Sequence, residues 1–309
     1  MTQTYIGVLP ICKPAGWTSH DVVARGRRLL SERRIGHTGT LDPMVTGVLP
    51  LCIGRATRLV EILQELPKEY EAELTIGYAT DTEDASGQVT AAVDQTPVSR
   101  QQILQALQAF IGRIEQVPPM YSAVKKDGKR LYELARQGIE VERQPRTVTI
   151  HQLELLEFDE SGKYPIIRFR VRCSKGTYIR TLCVDIGKSL GYPAVMSGLV
   201  RTEAGGIRLE DCYGLEEVER MVQQGTLEQV IIPIERAISF LPSISLNETE
   251  SFKAMNGVPV VWPQSEQLDM LPPPSEAELV RVFHSNQKLI GVFNWNPANG
   301  VLIANKVFT

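Results

Sequence analysis

Gly36-His37-Thr38-Gly39-Thr40-Leu41-Asp42-Pro43 places one carboxylate, Asp42, in a short turn built from glycines, threonines and a proline. An apolar run, Val48-Leu49-Pro50-Leu51-Cys52-Ile53, follows it. Glycine permits positive φ and proline fixes φ, so such a loop can hold a side chain at a set angle. Thr38, Thr40 and free loop N–H groups are on hand to satisfy the carboxylate. An acid fixed at the mouth of an apolar element suits a nucleophile or base working in a dry pocket. Taken alone, the segment reads more simply as an Asx-turn before Pro43, a common use of Asp-Pro.

With 309 residues the chain can bury a sizeable core, and the length predicts two domains. A composition of 43% hydrophobic and 22% charged residues is that of a globular protein rather than a disordered one. No apolar run reaches the roughly eighteen residues of a membrane helix, and Met1 to Tyr5 lacks the basic and apolar regions of a signal peptide. Cys12, Cys52, Cys173, Cys183 and Cys212 are scattered, odd in number and never spaced C-x-x-C. They predict reduced thiols in a cytoplasmic protein without a zinc site or a membrane.

A net charge of −3 argues weakly against nucleic acid, but distribution decides. Between Lys13 and Arg58 the basic residues Lys13, Arg25, Arg27, Arg28, Arg33, Arg34, Arg55 and Arg58 face only Asp21, Glu32 and Asp42. Lys125 to Arg146 is again basic, and from Lys163 to Arg180 there is no acid at all. The compensating acids lie in Asp81-Thr82-Glu83-Asp84 and from Glu210 to Glu250. Such segregation fits a protein that lays one face on a polyanion. For any one cluster, a solvated mixed-charge surface fits as well.

Ile6 to Ile11 predicts a strand, followed by a helix capped by Thr18 or Ser19 and running to Glu32 with Val22, Val23, Leu29 and Leu30 as its apolar side. Arg55 to Leu66 predicts a second helix and Tyr70 to Ile76 a strand. Ile103, Leu107, Phe110 and Ile111 form a core stripe on a helix from about Ser99 to Ile111. Ile167, Phe169, Val171 and Cys173 alternate with Arg168, Arg170 and Arg172, so period two separates an apolar face from an arginine face. Tyr178 to Leu190 predicts a helix ending at Gly191. After Leu241-Pro242-Ser243 the pattern changes to short strands, Val258–Val261, Leu279–Phe283, Leu289–Phe293 and Val301–Ala304, with a hairpin turn at Asn299-Gly300 and a loop at Pro272–Pro274. This tail predicts a small separate β-domain.

Further segments carry chemistry. Lys13-Pro14-Ala15-Gly16-Trp17-Thr18-Ser19 is a rigid turn with a lysine, weak by itself. Lys68-Glu69-Tyr70 starts a strand with an aromatic ring, which alone is a core or edge tyrosine before it is a stacking platform. Pro118-Pro119-Met120-Tyr121-Ser122-Ala123-Val124-Lys125, with Arg130-Leu131-Tyr132-Glu133, interleaves tyrosines and cations as base and phosphate contacts require, although a plain loop-to-helix connection looks similar. Ser174-Lys175-Gly176-Thr177-Tyr178-Ile179-Arg180-Thr181 turns from the arginine-faced strand into a helix and offers a cation for Asp42, or only surface charge. Asp81, Glu83 and Asp84 lack EF-hand spacing and read as a strand-end turn.

In this order, and with Leu199-Val200-Arg201-Thr202, these motifs resemble the TruB family, the tRNA pseudouridine-55 synthases, over nearly the whole chain. The tail resembles a PUA domain through Asn256-Gly257, Leu289-Ile290-Gly291-Val292 and Lys306-Val307-Phe308. Two departures stand out. Val45 occupies a position where the family usually has a small residue, and Gly205-Gly206-Ile207 stands where Gly-Pro-Phe is usual.

The resemblance implies an α+β fold, with a mixed, largely antiparallel sheet crossed by a central catalytic cleft and a small C-terminal β-barrel-like domain. Residues 1–240 would be the catalytic domain, with an inserted RNA-contacting segment at about 88–150, and 246–309 the PUA-like RNA-binding domain. It implies isomerisation of uridine 55 in the tRNA T-loop by base flipping and breakage and re-formation of the glycosidic bond. Asp42 matches the catalytic nucleophile or base, and Arg180 its ion-pair partner, expected to lower the carboxylate pKa. Tyr70 matches the residue stacked on the target uracil, His37 the one filling the vacated space, and Tyr178 and Leu199 pocket positions. No metal or cofactor is implied. The expected partner is the tRNA T-arm, bound by a monomer without an obligate protein partner. A glycoside hydrolase, needing a second carboxylate, and a non-catalytic RNA-binding protein are the alternatives.

Overall fold

The computed structural model describes residues 4–126, 128–262, 276 and 278–308. The chain opens with β1 (Gly7–Lys13), α1 (Ser19–Leu30), β2 (Ile35–His37) and β3 (Thr46–Ile53). Thr18 caps α1 through a reciprocal box: its hydroxyl accepts from the Asp21 N–H, and Asp21 accepts from the Thr18 N–H. The helix stops at Leu30, two residues before the expected end, because Ser31 takes a left-handed conformation. Residues 55–66, expected as one helix, are a 3-10 turn over Gly54–Leu59 and then α2 (Val60–Glu65). The Thr57 hydroxyl donates to the Gly54 carbonyl at 2.7 Å, a local bond that competes with α-helical pairing.

β4 (Lys68–Ile76), β5 (Tyr78–Thr80) and β6 (Val89–Ala92) precede α3 (Arg100–Ala109). Ile103 and Leu107 are buried, but Ile111 is exposed because α3 has already ended and β7 (Gly112–Gln116) begins beside it. β8 (Lys125–Lys126) and β9 (Lys129–Arg130) form a small hairpin before α4 (Leu131–Ala135). β10 (Arg146–Asp159) and β11 (Ile166–Cys173) pair antiparallel. On β11 the apolar residues are buried and the arginines face the other way, as the alternation requires.

α5 (Ile179–Leu190) leads into β12 (Ala194–Ala204), and β13 (Ile207–Arg208) folds back on it. Gly205 and Gly206 make that turn at φ of 64° and 78°. Two consecutive positive φ angles are what a type I′ hairpin turn requires, and proline cannot adopt the second of them. The departure at this position is therefore a different turn.

Among the described residues nine strands form one sheet in the order β1-β3-β12-β4-β11-β10-β7, with β2 added to β3 and β13 to β12. Its neighbours are antiparallel except β12 and β3, which run parallel where Arg201 meets Gly47. A Cβ on Gly47 would sit 2.2 Å from the Arg201 carbonyl oxygen, so only glycine lets the two strands approach there. The main core, including Val22, Leu49, Leu74, Phe169, Leu182 and Ile186, joins this sheet to α1 and α5. The fold is α+β with a mixed, largely antiparallel sheet.

α6 (Leu215–Gln224) and α7 (Ile234–Ala237) lead to the tail, which contains β14 (Ser243–Leu246), α8 (Glu248–Met255), β15 (Val260–Val261), β16 (Leu279–His284), β17 (Leu289–Asn296) and β18 (Val301–Val307). β14 and α8 were not anticipated from the sequence. The five strands form a half-barrel in the order β14-β16-β17-β18-β15. Pro272–Pro274, expected as a loop, lies outside the described residues. The tail has its own core around Ile244, Val280, Phe293 and Trp295. A further core joins its Leu289, Val292 and Phe308 to Val8 and Val48 of the large sheet and to Leu59 of the 3-10 turn, and Arg55 and Arg58 donate to the Phe308 and Val307 carbonyls.

Candidate active site

The loop between β2 and β3 carries Asp42 and is held from three sides. The Ser19 hydroxyl, buried at the start of α1, accepts from the Leu41 N–H at 2.9 Å. The Gly16 N–H donates to the Pro43 carbonyl at 2.9 Å. Lys13 is fully buried, and its ammonium donates to the Pro14, Trp17 and Pro43 carbonyls at 2.9, 2.6 and 2.9 Å. Burial pushes this lysine down to about 8, against the opposing pull of Asp42. The weak "turn with a lysine" is thus a clamp on the loop. Val45, the unusual residue, is buried in the core and closes the turn by donating its N–H to the Asp42 carbonyl.

The threonines do not serve Asp42 as expected. Thr38 Oγ1 is buried without a hydrogen-bond partner, and Thr40 is exposed. The carboxylate instead meets Arg180, with Nε 3.1 Å from Oδ2. Arg180 projects from the first turn of α5 and is only 6% exposed, whereas the Asp42 side chain is 44% exposed and open on one side. The other guanidinium nitrogens donate to the Thr82 carbonyl at 3.0 Å and the Tyr121 carbonyl at 2.7 Å. The arginine is therefore fixed by backbone before it meets the acid.

Asp42 titrates above the usual aspartate range, which corrects the expectation of a lowered pKa. Desolvation outweighs the attraction of Arg180, and Asp84 adds repulsion. Asp84 belongs to the acidic turn joining β5 and β6. Its Oδ1 accepts from the Thr82 hydroxyl and the Ser86 N–H, Asp81 accepts from the Gln88 N–H, and Glu83 accepts from the Thr181 hydroxyl. These carboxylates build a turn, and the same turn offers its Thr82 carbonyl to Arg180.

Tyr70 lies on β4 opposite Arg201 on β12. It is half-buried, and desolvation raises its phenol pKa, which keeps the ring neutral. Leu199, two residues before Arg201 on β12, faces Ala72 and is also half-buried. His37 ends β2, its Nδ1 accepting from the Gly39 N–H at 3.2 Å, and burial lowers its pKa. Tyr178 stands at the N-cap of α5. Its backbone N–H and carbonyl are both held by the Gln116 amide, at 2.9 and 3.2 Å. The structure thus brings Asp42 and Arg180 into contact and sets Tyr70 and Leu199 two places apart across β4 and β12.

Lys13, Gln116 and Arg201 carry no expected role in the sequence. A cation inside the apolar run Leu199-Val200-Arg201 was the available signal for the last.

The arginine face of β11 follows the mixed-charge reading of its segment. Arg168 pairs with Glu157 and Glu73, Arg170 with Glu71 at 2.7 Å and with Glu69 and Glu154, and Arg172 with Glu203 at 2.8 Å. Neighbouring strands supply the acids that the segment lacks, so this face is not a free polycationic surface. A less fully paired basic surface lies elsewhere. An open groove of about 420 Å³ where α1, the 3-10 turn and β18 meet is lined by Arg27, Arg33, Arg34, Arg58 and Lys306; Lys306 pairs with Glu61 at 2.8 Å and Arg34 with Glu32 at 3.5 Å.

The site's centre is thus a lone carboxylate on a clamped loop, paired with an arginine fixed by backbone carbonyls. Family models for the TruB family pseudouridylate synthase N-terminal domain and the tRNA pseudouridylate synthase B C-terminal domain match residues 27–179 and 180–239. The chain belongs to the TruB family. As a pseudouridylate synthase it is an isomerase. TruB-family relatives named tRNA pseudouridine synthase B include one from Geobacillus kaustophilus, 55% identical and covering 81% of this chain and 89% of its own. One from Bacillus anthracis is 47% identical over 97% of this chain and 96% of its own. Among solved structures, a Cbf5-Nop10-Gar1 complex matches with a TM-score of 0.74 and 27% identity, covering 98% of this chain and 85% of that one. An H/ACA RNP bound to a substrate RNA containing 2′-deoxyuridine matches with a TM-score of 0.71 and 25% identity over 98% of this chain and 85% of that one. No helix among the described residues is long and apolar enough to cross a membrane.

Proposed function

We propose that this TruB-family chain converts uridine to pseudouridine at position 55 in the T-loop of tRNA. The observation that carries the reading is the Asp42–Arg180 pair at 3.1 Å, on a loop held by Lys13 and Ser19 and open to solvent on one side. The reaction breaks the N1–C1′ bond, turns the uracil and joins C5 to C1′, with the C5 proton released and N1 protonated. Atoms and oxidation state balance within the nucleotide, so the scheme invokes no metal or cofactor.

The target base cannot be reached inside a folded loop, so the nucleotide flips out at a cost of a few kcal/mol. Stacking on Tyr70, worth about 1–3 kcal/mol, offsets much of this. His37 fills the space the base leaves, and Tyr178 and Leu199 line its pocket. Asp42 acts ionised, as nucleophile or base, and Arg180 favours that form against the burial that opposes it. The basic groove around Arg33 and Arg58 supports a polyanionic partner. In this proposal residues 1–240 form the catalytic domain, the segment about 88–150 contacts RNA, and 246–309 act as a PUA-like module. The enzyme works as a cytoplasmic monomer.

Incubation with tRNA tritiated at C5 of uridine tests the reading. Tritium release without free uracil, lost on changing U55, is the expected result. Free uracil would instead indicate a hydrolase, and binding without release a non-catalytic RNA-binding protein.

A further inference from the structure

Arg201 is 1% exposed, and none of the ion pairs among the described residues includes it. Its charge adds to the burial that pushes down the pKa of Lys13, His37 and Lys68. A buried cation is tolerated only where its donors are satisfied. Arg201 satisfies them on the parts of the site that must not move. Its Nε donates to the Val48 carbonyl at 2.7 Å and its Nη2 to the Gly39 carbonyl at 3.0 Å. Gly39 and Val48 stand on opposite limbs of the loop that carries Asp42. Tyr70 is the cross-strand partner of Arg201 on the neighbouring β4. The Arg201 backbone is pressed against Gly47, where no side chain fits.

We propose that Arg201 is a positioning residue for the reaction: one planar guanidinium ties both limbs of the Asp42 loop to β12, at the position paired with Tyr70 on β4, and so sets carboxylate and stacking surface in register. The inference rests on the roles proposed above for Asp42 and Tyr70. It needs the fork, because a lysine ammonium is a point charge that cannot hold both carbonyls in one plane as the guanidinium does. Reactive groups misplaced by about 1 Å can cost 10²-fold in rate.

Arg201→Lys keeps the buried charge and loses the fork, so it is the primary variant, with Arg201→Met beside it. In single-turnover assays with enzyme in excess, Arg201→Lys should form pseudouridine about 10²-fold more slowly while binding tRNA nearly as the parent does. In a Tyr70→Ala background the same change should cost clearly less, because the register it sets no longer has a ring to place. Hydrogen exchange should quicken in peptides covering residues 39–48 and stay unchanged in α5 and in the tail sheet. Wild-type turnover by Arg201→Lys, full multiplicative loss with Tyr70→Ala, or exchange quickened throughout the chain would each overturn the proposal. If Arg201→Met does not fold, the lysine variant decides alone. Absence of turnover by the parent protein would sink the substrate reading instead, and the exchange comparison would then decide Arg201.

Discussion

Arg170 and Arg180 lie ten residues apart, and both pair with carboxylates, yet they do opposite things. Arg170 is 42% exposed on the outer face of the sheet and answers Glu71, itself 42% exposed, with Glu69 and Glu154 nearby. Water screens such pairs, and each contributes little. Arg180 is 6% exposed, spends two nitrogens on backbone carbonyls from separate segments, and presents the third to Asp42. In the first region charge cancels charge along a ladder. In the second a cation organises loops, and its carboxylate partner is the group left facing the cleft. Carbonyl partners, more than the number of arginines, distinguish a functional cation from a surface one here.

The largest test of that contrast is Asp42→Asn. The amide keeps the shape but can be neither nucleophile nor base, so pseudouridine formation should fall by about 10⁴-fold or more. tRNA affinity, measured by filter binding, should be largely retained. Substantial turnover by the pure variant would remove Asp42 from the chemistry.

Arg180→Met comes next, with an expected loss of about 10²-fold in the catalytic step and much less in affinity. It also carries a pH signature. Asp42 acts ionised, and its pKa is already raised by burial while Arg180 opposes that rise. Activity therefore increases as pH climbs through the Asp42 pKa, and removing Arg180 should move this acid limb to higher pH. Lysine should restore the limb in part without restoring the rate, lacking the two carbonyl contacts. An acid limb that stays in place would mean Asp42 does not feel Arg180 during turnover.

Tyr70 separates packing from stacking. Tyr70→Ala should weaken tRNA binding by about 1–3 kcal/mol, and Tyr70→Phe should keep the affinity. The phenylalanine variant keeps the ring and loses only the hydroxyl, so any fall in its turnover measures the phenol. Equal, mild effects of both changes would leave Tyr70 as an ordinary half-buried residue of β4.

Local chemistry made much of this fold legible. The capping box at Thr18, the alternation of β11 and the Asn299-Gly300 turn depend on residues close in sequence, and Gly300 indeed takes a φ of 63°. Pairing across the sheet was not legible. The glutamates that neutralise Arg168, Arg170 and Arg172 come from β4, β10 and β12, so a segment without acids along the chain is surrounded by them in space. The site divides the same way. The Asp42 turn declares itself by its glycines and proline, but the meeting with Arg180 across 138 positions was reachable only through family resemblance. Lys13 and Arg201 stayed hidden, because a pattern that treats every cation as surface cannot show one buried against carbonyls.

The smallest expected effect falls on the ladder, and it is the one most able to break the comparison. Arg170→Gln removes a guanidinium from a face where Glu69, Glu71 and Glu154 outnumber it. Losing a screened, half-exposed pair should shift stability by no more than about 0.5 kcal/mol, read as a near-constant urea midpoint. If the ladder is neutral toward RNA, the salt dependence of tRNA binding should keep its slope, since a lost phosphate contact would lower it by about 1. Arg33→Gln, in the basic groove, is the matched control and should lower the slope. A reduced slope for Arg170→Gln would mean that the glutamates give way when RNA arrives. The ladder would then be a second phosphate-binding surface held closed by its own acids.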